Sequence, residues 1–202
     1  MAKRKALQFK ITLLGVTLPI WRRIQISDLS TFWDLHVAIQ DAFGWTDSHL
    51  HEFVTINGAA EQEEYIGIPD NGEGPHPVLT GWDIKVEPYV KLPANQKILY
   101  LYDFGDNWEH LIEFEGWHEK QANKYPICLA GERACPPEDV GGVPGYENFI
   151  AIINDKKHEE RKSWLEWVGG KYNSEKFNPK KVKFDSPSKR WRYAFEGEGL
   201  VF

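Results

Sequence analysis

The sequence predicts an α+β fold: a mixed or antiparallel sheet forms a roll that opens with a β-hairpin and then a helix, and additional C-terminal helices follow. Several short segments alternate apolar and polar residues, as half-buried strands do, and one early segment has helical periodicity. Apolar residues make up 42% of the 202 residues and aromatic residues 14%, which favours a packed core over disorder. We expect a single domain over 1–202, with a core at 7–170 and a basic, aromatic extension at 171–202.

The first predicted elements are two strands and a helix. Residues 7–13 and 20–26 alternate on either side of a segment with glycine and proline, so we expect them to pair as a hairpin. Ser30 or Thr31 can cap the following helix, and Gly44 stands where helices commonly end. Apolar residues recur between these limits at helical spacing: Phe32, Leu35, Ile39 and Phe43.

The middle of the chain contains four more predicted strands. Residues 52–56 and 65–68 are short candidates, and the composition of 68–77 indicates a loop. Residues 97–103 and 108–115 alternate on either side of a glycine-containing turn, which predicts a second hairpin.

The last third is less regular. We interpret residues 127–149, which are rich in glycine and proline, as an ordered loop. Apolar spacing predicts short helices around 146–153 and 157–168, the second ending before two glycines. No element is assigned to the tail from Phe177 onward.

The net charge of −6 conceals a strong asymmetry. Residues 1–23 carry six bases and no acids, 24–155 carry 23 acids and six bases, and 156–192 carry twelve bases and five acids. The basic ends can bind nucleic acid, but ion pairing within the fold is the favoured interpretation. Aromatic side chains that can stack on bases or pack internally lie among the basic residues of the tail: Phe177, Phe184, Trp191 and Tyr193.

Composition also indicates the compartment. No apolar run approaches the roughly 20 residues that span a bilayer, and the N-terminus lacks a signal peptide. We therefore expect a soluble cytoplasmic protein with reduced thiols and no membrane partner. Cys128 and Cys135 are separated by six intervening residues, a spacing that matches no common zinc or redox motif. We interpret them as small buried thiols, and metal binding or nucleophilic catalysis stay open as alternatives.

The stretch YDFGDNWEH, residues 102–110, concentrates carboxylates, a histidine and aromatic rings around a turn. Trp108 and His110 fall on one face of the return strand. In a structural interpretation, Asp103 and Asp106 accept backbone hydrogen bonds in the turn and His110 is hydrogen-bonded in the core. In the alternative interpretation, these side chains hold a divalent ion or share a proton.

The stretch GWTDSHLHEF, residues 44–53, contains two histidines separated by one residue. In a strand, His49 and His51 point the same way, and two imidazoles at this spacing can bind one metal ion. Asp47 can add a ligand or orient a ring. The alternative is a junction between a helix and a strand, with one ring buried and the other exposed.

Four long motifs together resemble the Ri-plasmid open-reading-frame-three-like family, whose members are often labelled transposon passenger proteins of the resolvase type. They are PIWRRIQI (19–26), LHVAIQDAFGWTDSHLHEF (35–53), YLYDFGDNWEHLIEFE (100–115) and YPICLAGERACPPEDVGGVPGYENF (125–149). They occur in the order of the family and span most of 7–170. No nucleophilic serine with catalytic arginines, as in serine recombinases, is recognisable.

The resemblance implies an α+β fold and a set of shared polar positions without assigned catalytic roles. In this chain those positions are Trp45, Asp47, His49, His51, Asp103, Asp106, His110, Cys128, Cys135, Glu138 and Asp139. Such positions can line a common pocket.

The favoured hypothesis is a binding or accessory module associated with plasmids or mobile elements. Its acidic cleft is built from 44–53 and 102–110 with 128–142 as the rim, and it recognises a protein partner or a small ligand. The candidate pocket residues are Trp45, Asp47, His49, His51, Asp103, Asp106, Trp108, His110, Glu138 and Asp139.

The alternative hypothesis is a metal-dependent hydrolase with a divalent metal ion as cofactor. Glu109 or Glu138 is its candidate general base, and Asp47 is a further candidate ligand. The main candidate metal ligands are His49, His51, Asp103, Asp106 and His110.

Overall fold

The structure, a computed structural model, describes residues 5–57, 62–69, 74–120 and 124–196. In this part of the chain, eight strands form one mixed sheet accompanied by five helices, so the predicted α+β class is confirmed. The strands are β1 (Lys5–Leu13), β2 (Ile20–Ser27), β3 (His51–Asn57), β4 (Gln62–Gly67), β5 (Val78–Thr80), β6 (Lys97–Tyr102), β7 (Trp108–Glu119) and β8 (Ile127–Glu132). The helices are α1 (Phe32–Phe43), α2 (Val86–Val90), α3 (Gly142–Asn154), α4 (Arg161–Trp167) and α5 (Pro187–Phe195), with 3₁₀ turns at Pro93–Gln96 and Pro179–Lys181.

The sheet order is β5-β4-β3-β6-β7-β1-β2-β8, and β4 and β5 form its one parallel pair among the described residues. The predicted hairpins β1–β2 and β6–β7 are both present and join side by side through β1 and β7. Alternate side chains of the central strand β1, Leu7, Phe9 and Ile11, are fully buried. Period-two alternation therefore predicts the middle of the sheet correctly.

Helix α1 has the predicted limits. The Thr31 hydroxyl accepts a hydrogen bond from the backbone of Asp34, whose carboxylate accepts one from the Thr31 N–H. This reciprocal capping box satisfies two backbone donors at the start of the helix. At the other end Gly44 has φ +90° and donates to the carbonyl of Gln40. The helix buries ten of its twelve residues against the sheet.

The prediction of a loop over 127–149 is wrong at both ends. The segment begins as β8, which pairs with β2, and passes into α3 from Gly142 onward. The sequence does not reveal this strand, because glycine and proline are typical of loops. β8 is an edge strand, and its hydrogen bonds come from β2, which is distant in the sequence.

The C-terminal part contains two further corrections. The second predicted helix begins at Arg161 rather than at residue 157, because residues 155–160 form turns. The unassigned basic tail contains a 3₁₀ turn and α5, which packs on α1 through a hydrogen bond from Trp33 Nε1 to the carbonyl of Pro187. Residues 70–73 of the predicted 68–77 loop lie outside the described residues. No helix in the described ranges has the length and apolar character needed to cross a bilayer.

Gly142 starts α3 against the β6–β7 turn. Its φ is +65°, and a Cβ at this position would lie 2.4 Å from the carbonyl oxygen of Asp106.

Alanine at position 142 adds both left-handed strain and a collision with backbone, so we expect Gly142→Ala to lower the free energy of unfolding by about 2–4 kcal/mol in urea denaturation. The matched control is Gly169→Ala, which has φ +84° and open space around the added carbon. We expect Gly169→Ala to lower the free energy of unfolding by about 1 kcal/mol. Equal losses in the two variants would contradict the collision at Gly142.

Candidate functional site

Three separate segments meet at the carboxylate of Glu138. One of its oxygens accepts hydrogen bonds from the backbone N–H of Thr46 at 2.9 Å and from the Thr46 hydroxyl at 2.5 Å. The other accepts the hydroxyl of Tyr102 at 2.5 Å. Burial and this hydrogen bond both raise the pKa of Tyr102, which keeps the phenol protonated. The carboxylate therefore ties the end of β6 to the loop after α1 and to the loop before α3.

Two further hydrogen bonds connect the loop after α1 and the β6–β7 turn to the loop before α3. Trp45 Nε1 donates to the carbonyl of Pro136 at 3.0 Å. The backbone N–H of Gly141 donates to the Asp106 carboxylate at 3.1 Å. The Asp106 carboxylate thus accepts its backbone hydrogen bond from the loop before α3, whereas within the turn the backbone N–H of Asp106 donates to the Asp103 carboxylate.

Each residue joined at Glu138 is followed by an aspartate with left-handed backbone. The φ angles are +62° at Asp47, +57° at Asp103 and +59° at Asp139. Aspartate tolerates this region better than most residues, and such conformations concentrate at functional sites. The hydrogen bonds at Glu138 therefore fix the backbone from which three carboxylates project.

Two of these carboxylates and one histidine form a cluster at the surface, here called the surface triad: His49, Asp103 and Asp139. His49 Nε2 lies 3.0 Å from Asp139 Oδ1 and 3.6 Å from Asp103 Oδ2. The other oxygen of Asp103 accepts the backbone N–H of Gly105 at 2.9 Å, which fixes the carboxylate in the turn. One ligand atom from each residue lies within 4.8 Å of the others, and the Asp139 side chain is 69% exposed.

Asp47 belongs to a second, buried cluster. Its Oδ1 lies 2.7 Å from His36 Nε2, and His36 Nδ1 lies 2.9 Å from the hydroxyl of Tyr100. Gln40 donates to the same hydroxyl at 2.9 Å. These contacts are satisfied together when Tyr100 donates to His36 and the Nε2–H of His36 donates to Asp47. Asp47 thus orients a ring, but the ring is that of His36.

His51 stacks on His36 in this buried cluster. The ring centroids are 3.4 Å apart and the planes differ by 8°. Burial, followed by the proximity of His36, lowers the pKa of His51 well below its usual value. The prediction that His49 and His51 point the same way is wrong, because β3 begins only at His51 and alternation does not extend back to His49.

Arg190 of α5 closes the buried cluster from outside. Its guanidinium lies 2.7 Å from both Asp41 and Asp185 and 3.7 Å from Asp47. Burial raises the pKa of Asp47, but His36 and Arg190 outweigh it, so the pKa is lowered. Sequence reasoning missed His36 and Arg190. His36 has a local signal, since it follows Phe32 by one helical turn on the buried face of α1.

His110 belongs to neither group of candidate metal ligands. It is fully buried and contacts Phe43, Trp45 and Tyr100, with ring centroids 4.9, 5.3 and 5.4 Å away. Burial lowers its pKa to about 3. Trp108, which is 1% exposed, belongs to the same aromatic core. Backbone groups of Tyr100 and Trp108 lie next to the His110 ring, but neither ring nitrogen makes a hydrogen bond of normal geometry with a described residue, whereas the sequence interpretation expects one.

The five candidate metal ligands therefore do not converge. His49 and Asp103 meet in the surface triad, His51 joins His36 and Asp47, and His110 lies in the core. Of the remaining candidates, Glu109 accepts a hydrogen bond from Asn107 in its own hairpin. Cys128 and Cys135 are free, partly buried thiols.

Comparisons with known proteins find one matching family model and two similar proteins. The family model described as "Plasmid pRiA4b ORF-3-like protein" matches residues 5–181. The uncharacterized protein y4hQ of Sinorhizobium fredii is 35% identical over 164 residues, which cover 80% of either chain. The crystal structure of MM3350, a protein of unknown function from Methanosarcina mazei, superposes with a TM-score of 0.82 at 38% identity. That match covers 91% of this chain and 100% of the other. Helix α5 lies beyond residues 5–181, which the family model matches.

Tyr100 is the central member of the buried hydrogen-bonded chain. Tyr100→Phe leaves the ring in place but removes the hydroxyl that joins Gln40 to His36. Because buried polar groups then lose their partners, we expect the free energy of unfolding to fall by about 1–3 kcal/mol in urea denaturation. Tyr193, which is 72% exposed, provides the control: Tyr193→Phe should change stability by less than about 0.5 kcal/mol. A loss of similar size in both variants would argue against a stabilising role of the hydrogen bonds made by the Tyr100 hydroxyl.

His110 should make stability depend on pH. The unfolded residue takes up a proton below about pH 6.5, whereas the folded residue resists protonation down to about pH 3. Stability is therefore lost as pH falls from 6.5 toward 3, at up to about 1.4 kcal/mol per pH unit from this residue. His110→Leu should flatten the pH dependence of the free energy of unfolding, measured in urea from pH 7 to 4. Parallel curves for the variant and the wild type would exclude His110 as a source of the pH dependence of stability.

Proposed function

This chain belongs to the plasmid pRiA4b ORF-3-like family, and we propose that it is a binding module that holds a divalent cation in the surface triad. The observation that carries the proposal is the convergence of His49, Asp103 and Asp139 from three segments, with one ligand atom of each within 4.8 Å of the others. Imidazole nitrogen and carboxylate oxygen are common ligands of divalent transition metals.

The backbone around the triad supports this function. Asp103 and Asp139 adopt left-handed φ angles, and the hydrogen bonds at Glu138 and in the β6–β7 turn hold them there. Preorganised ligands lose little conformational entropy on binding. In the described part of the chain, no lysine or arginine forms an ion pair with either carboxylate. A cation would therefore relieve the repulsion between them.

Three protein ligands leave coordination positions open on a bound ion. Carboxylate or phosphate oxygens of a ligand or partner protein can fill those positions, so the ion can bridge this chain to an anionic group. The family description refers to a plasmid open reading frame, which supports an accessory role for a plasmid or mobile element. The free thiols of Cys128 and Cys135 are compatible with the cytoplasmic location that the proposal includes.

Binding is better supported than hydrolysis. A metal-dependent hydrolase needs an available general base near the ion. Both oxygens of Glu138 already accept hydrogen bonds, from Thr46 and Tyr102. Glu109 accepts one from Asn107 in the β6–β7 hairpin. The hydrogen bonds to Glu138 engage both of its oxygens, whereas Asn107 engages only one oxygen of Glu109, so Glu138 is the less available of the two candidate bases.

The test is isothermal titration of chelator-treated protein with Mn²⁺ and with Zn²⁺. We expect one saturable site in the wild type, and His49→Ala or Asp139→Asn should weaken binding about tenfold or more. Asp155→Asn is the control for Asp139→Asn, because it removes the same charge from an exposed residue outside the triad.

His51→Ala separates the two clusters, since His51 belongs to the buried one. We expect this variant to keep the affinity of the wild type for the metal. Loss of binding in His51→Ala but not in His49→Ala, or no saturable binding in the wild type, would reject the surface triad as the site. Elemental analysis of the purified variants by mass spectrometry provides a second readout.

A further inference from the structure

Arg22 on β2 is a buried cation without a carboxylate partner in the described part of the chain. Its side chain is 1% exposed. Nε donates to the carbonyl of Ala42 at 2.9 Å, and Nη1 donates to the carbonyls of Trp21 and Glu132 at the same distance. Carbonyl oxygens satisfy these donors but carry no full negative charge. Since buried charges in proteins are usually paired, the uncompensated charge of Arg22 calls for an anion.

The surroundings of Arg22 are aromatic. The guanidinium carbon lies 3.7 Å from the centroid of the Phe177 ring and 5.0 Å from that of Phe43. Gly131 on β8 makes this stacking possible, because a Cβ there would lie 2.4 Å from the Phe177 ring. Ring faces stabilise a cation without neutralising it. The guanidinium is thus held in a fixed orientation with its charge intact.

Arg22 lines a cleft of about 410 Å³, a size that accommodates a small molecule. Lys176 also lines the cleft, and no ion pair engages it among the described residues. Arg22 comes from the basic N-terminal segment and Lys176 from the basic C-terminal segment. The fold therefore brings two distant cations to one concave surface.

The acidic groups of the cleft do not cancel these charges. Glu138 lines it, but its carboxylate accepts hydrogen bonds from the neutral donors of Thr46 and Tyr102 and forms no ion pair with Arg22 or Lys176 among the described residues. Burial raises the pKa of Cys135 more than Arg22 lowers it, so this thiol stays protonated. Neither group supplies the missing counter-charge next to Arg22.

We propose that this cleft binds a small molecule through its phosphate or carboxylate group, which pairs with Arg22 and Lys176. Nη2, the guanidinium nitrogen that makes no hydrogen bond among the described residues, can donate to either group, and the aromatic walls fit an apolar or planar remainder of the ligand. A nucleic acid backbone fits poorly, because it needs an exposed row of cations and Arg22 is buried. The site is separate from the surface triad and does not depend on metal binding there.

The test is isothermal titration with inorganic phosphate and, separately, with benzoate, at constant ionic strength and in the presence of a chelator. We expect saturable binding of at least one anion by the wild type. Lys176→Gln should weaken it about tenfold. Lys171→Gln removes the same charge from an exposed residue outside the cleft and should leave the affinity unchanged. Arg22→Met should abolish binding, and the Lys176 variant keeps the test decisive if the Arg22 variant fails to fold.

The two probes distinguish the ligand classes. Tighter binding of phosphate identifies a phosphorylated ligand, tighter binding of benzoate identifies a carboxylate, and either supports the site. No saturable binding of either anion, or equal weakening in Lys176→Gln and Lys171→Gln, would overturn it. His49→Ala should bind the anion like the wild type, so failure of the cation site and failure of this site give different results.

Discussion

The arrangement of the polar site depends on the hydrogen bonds accepted by one carboxylate, that of Glu138. It joins the loop after α1, the end of β6 and the loop before α3, which are far apart in the sequence. Charge-assisted hydrogen bonds of this kind are short and strong, so they fix the backbone on both sides. Each joined residue directly precedes an aspartate with positive φ: Asp47 after Thr46, Asp103 after Tyr102, and Asp139 after Glu138 itself. The position of the surface triad thus follows from a contact that is not part of it.

The same region separates charges of opposite sign. The surface triad concentrates carboxylates and a histidine at the solvent boundary, whereas the cleft at Arg22 contains a buried cation. Trp45 and Glu138 line that cleft and belong to the loops that also hold the triad. A third set of charges, Arg190 with its aspartates, is paired within the chain and closes the buried His36 cluster. Pairing within the fold accounts for part of the opposition between an acidic middle and basic ends.

Sequence reasoning about the site is limited by its reliance on local geometry. It selects Asp103 as a polar residue of a turn, and it takes Asp139 from the family resemblance, but it groups His49 with His51 on the assumption of strand alternation. Because β3 begins at His51, the two rings separate into different clusters. It also treats His110 as a candidate ligand, whereas the hairpin register places this ring opposite Tyr100 in the aromatic core.

The sequence by itself determined the elements whose signals lie within a few residues. The hairpins follow from alternation, and α1 follows from its apolar spacing, from the capping residue at Ser30 or Thr31 and from Gly44 at a typical helix end. Only the tertiary structure decided which distant charges meet: Arg190 reaches Asp41 across 149 residues of sequence, and Arg22 reaches the carbonyl of Glu132 across 110. The physical reason is that a salt bridge or a buried cation depends on the positions to which the sheet and its loops bring each group. Spacing along the chain does not encode those positions.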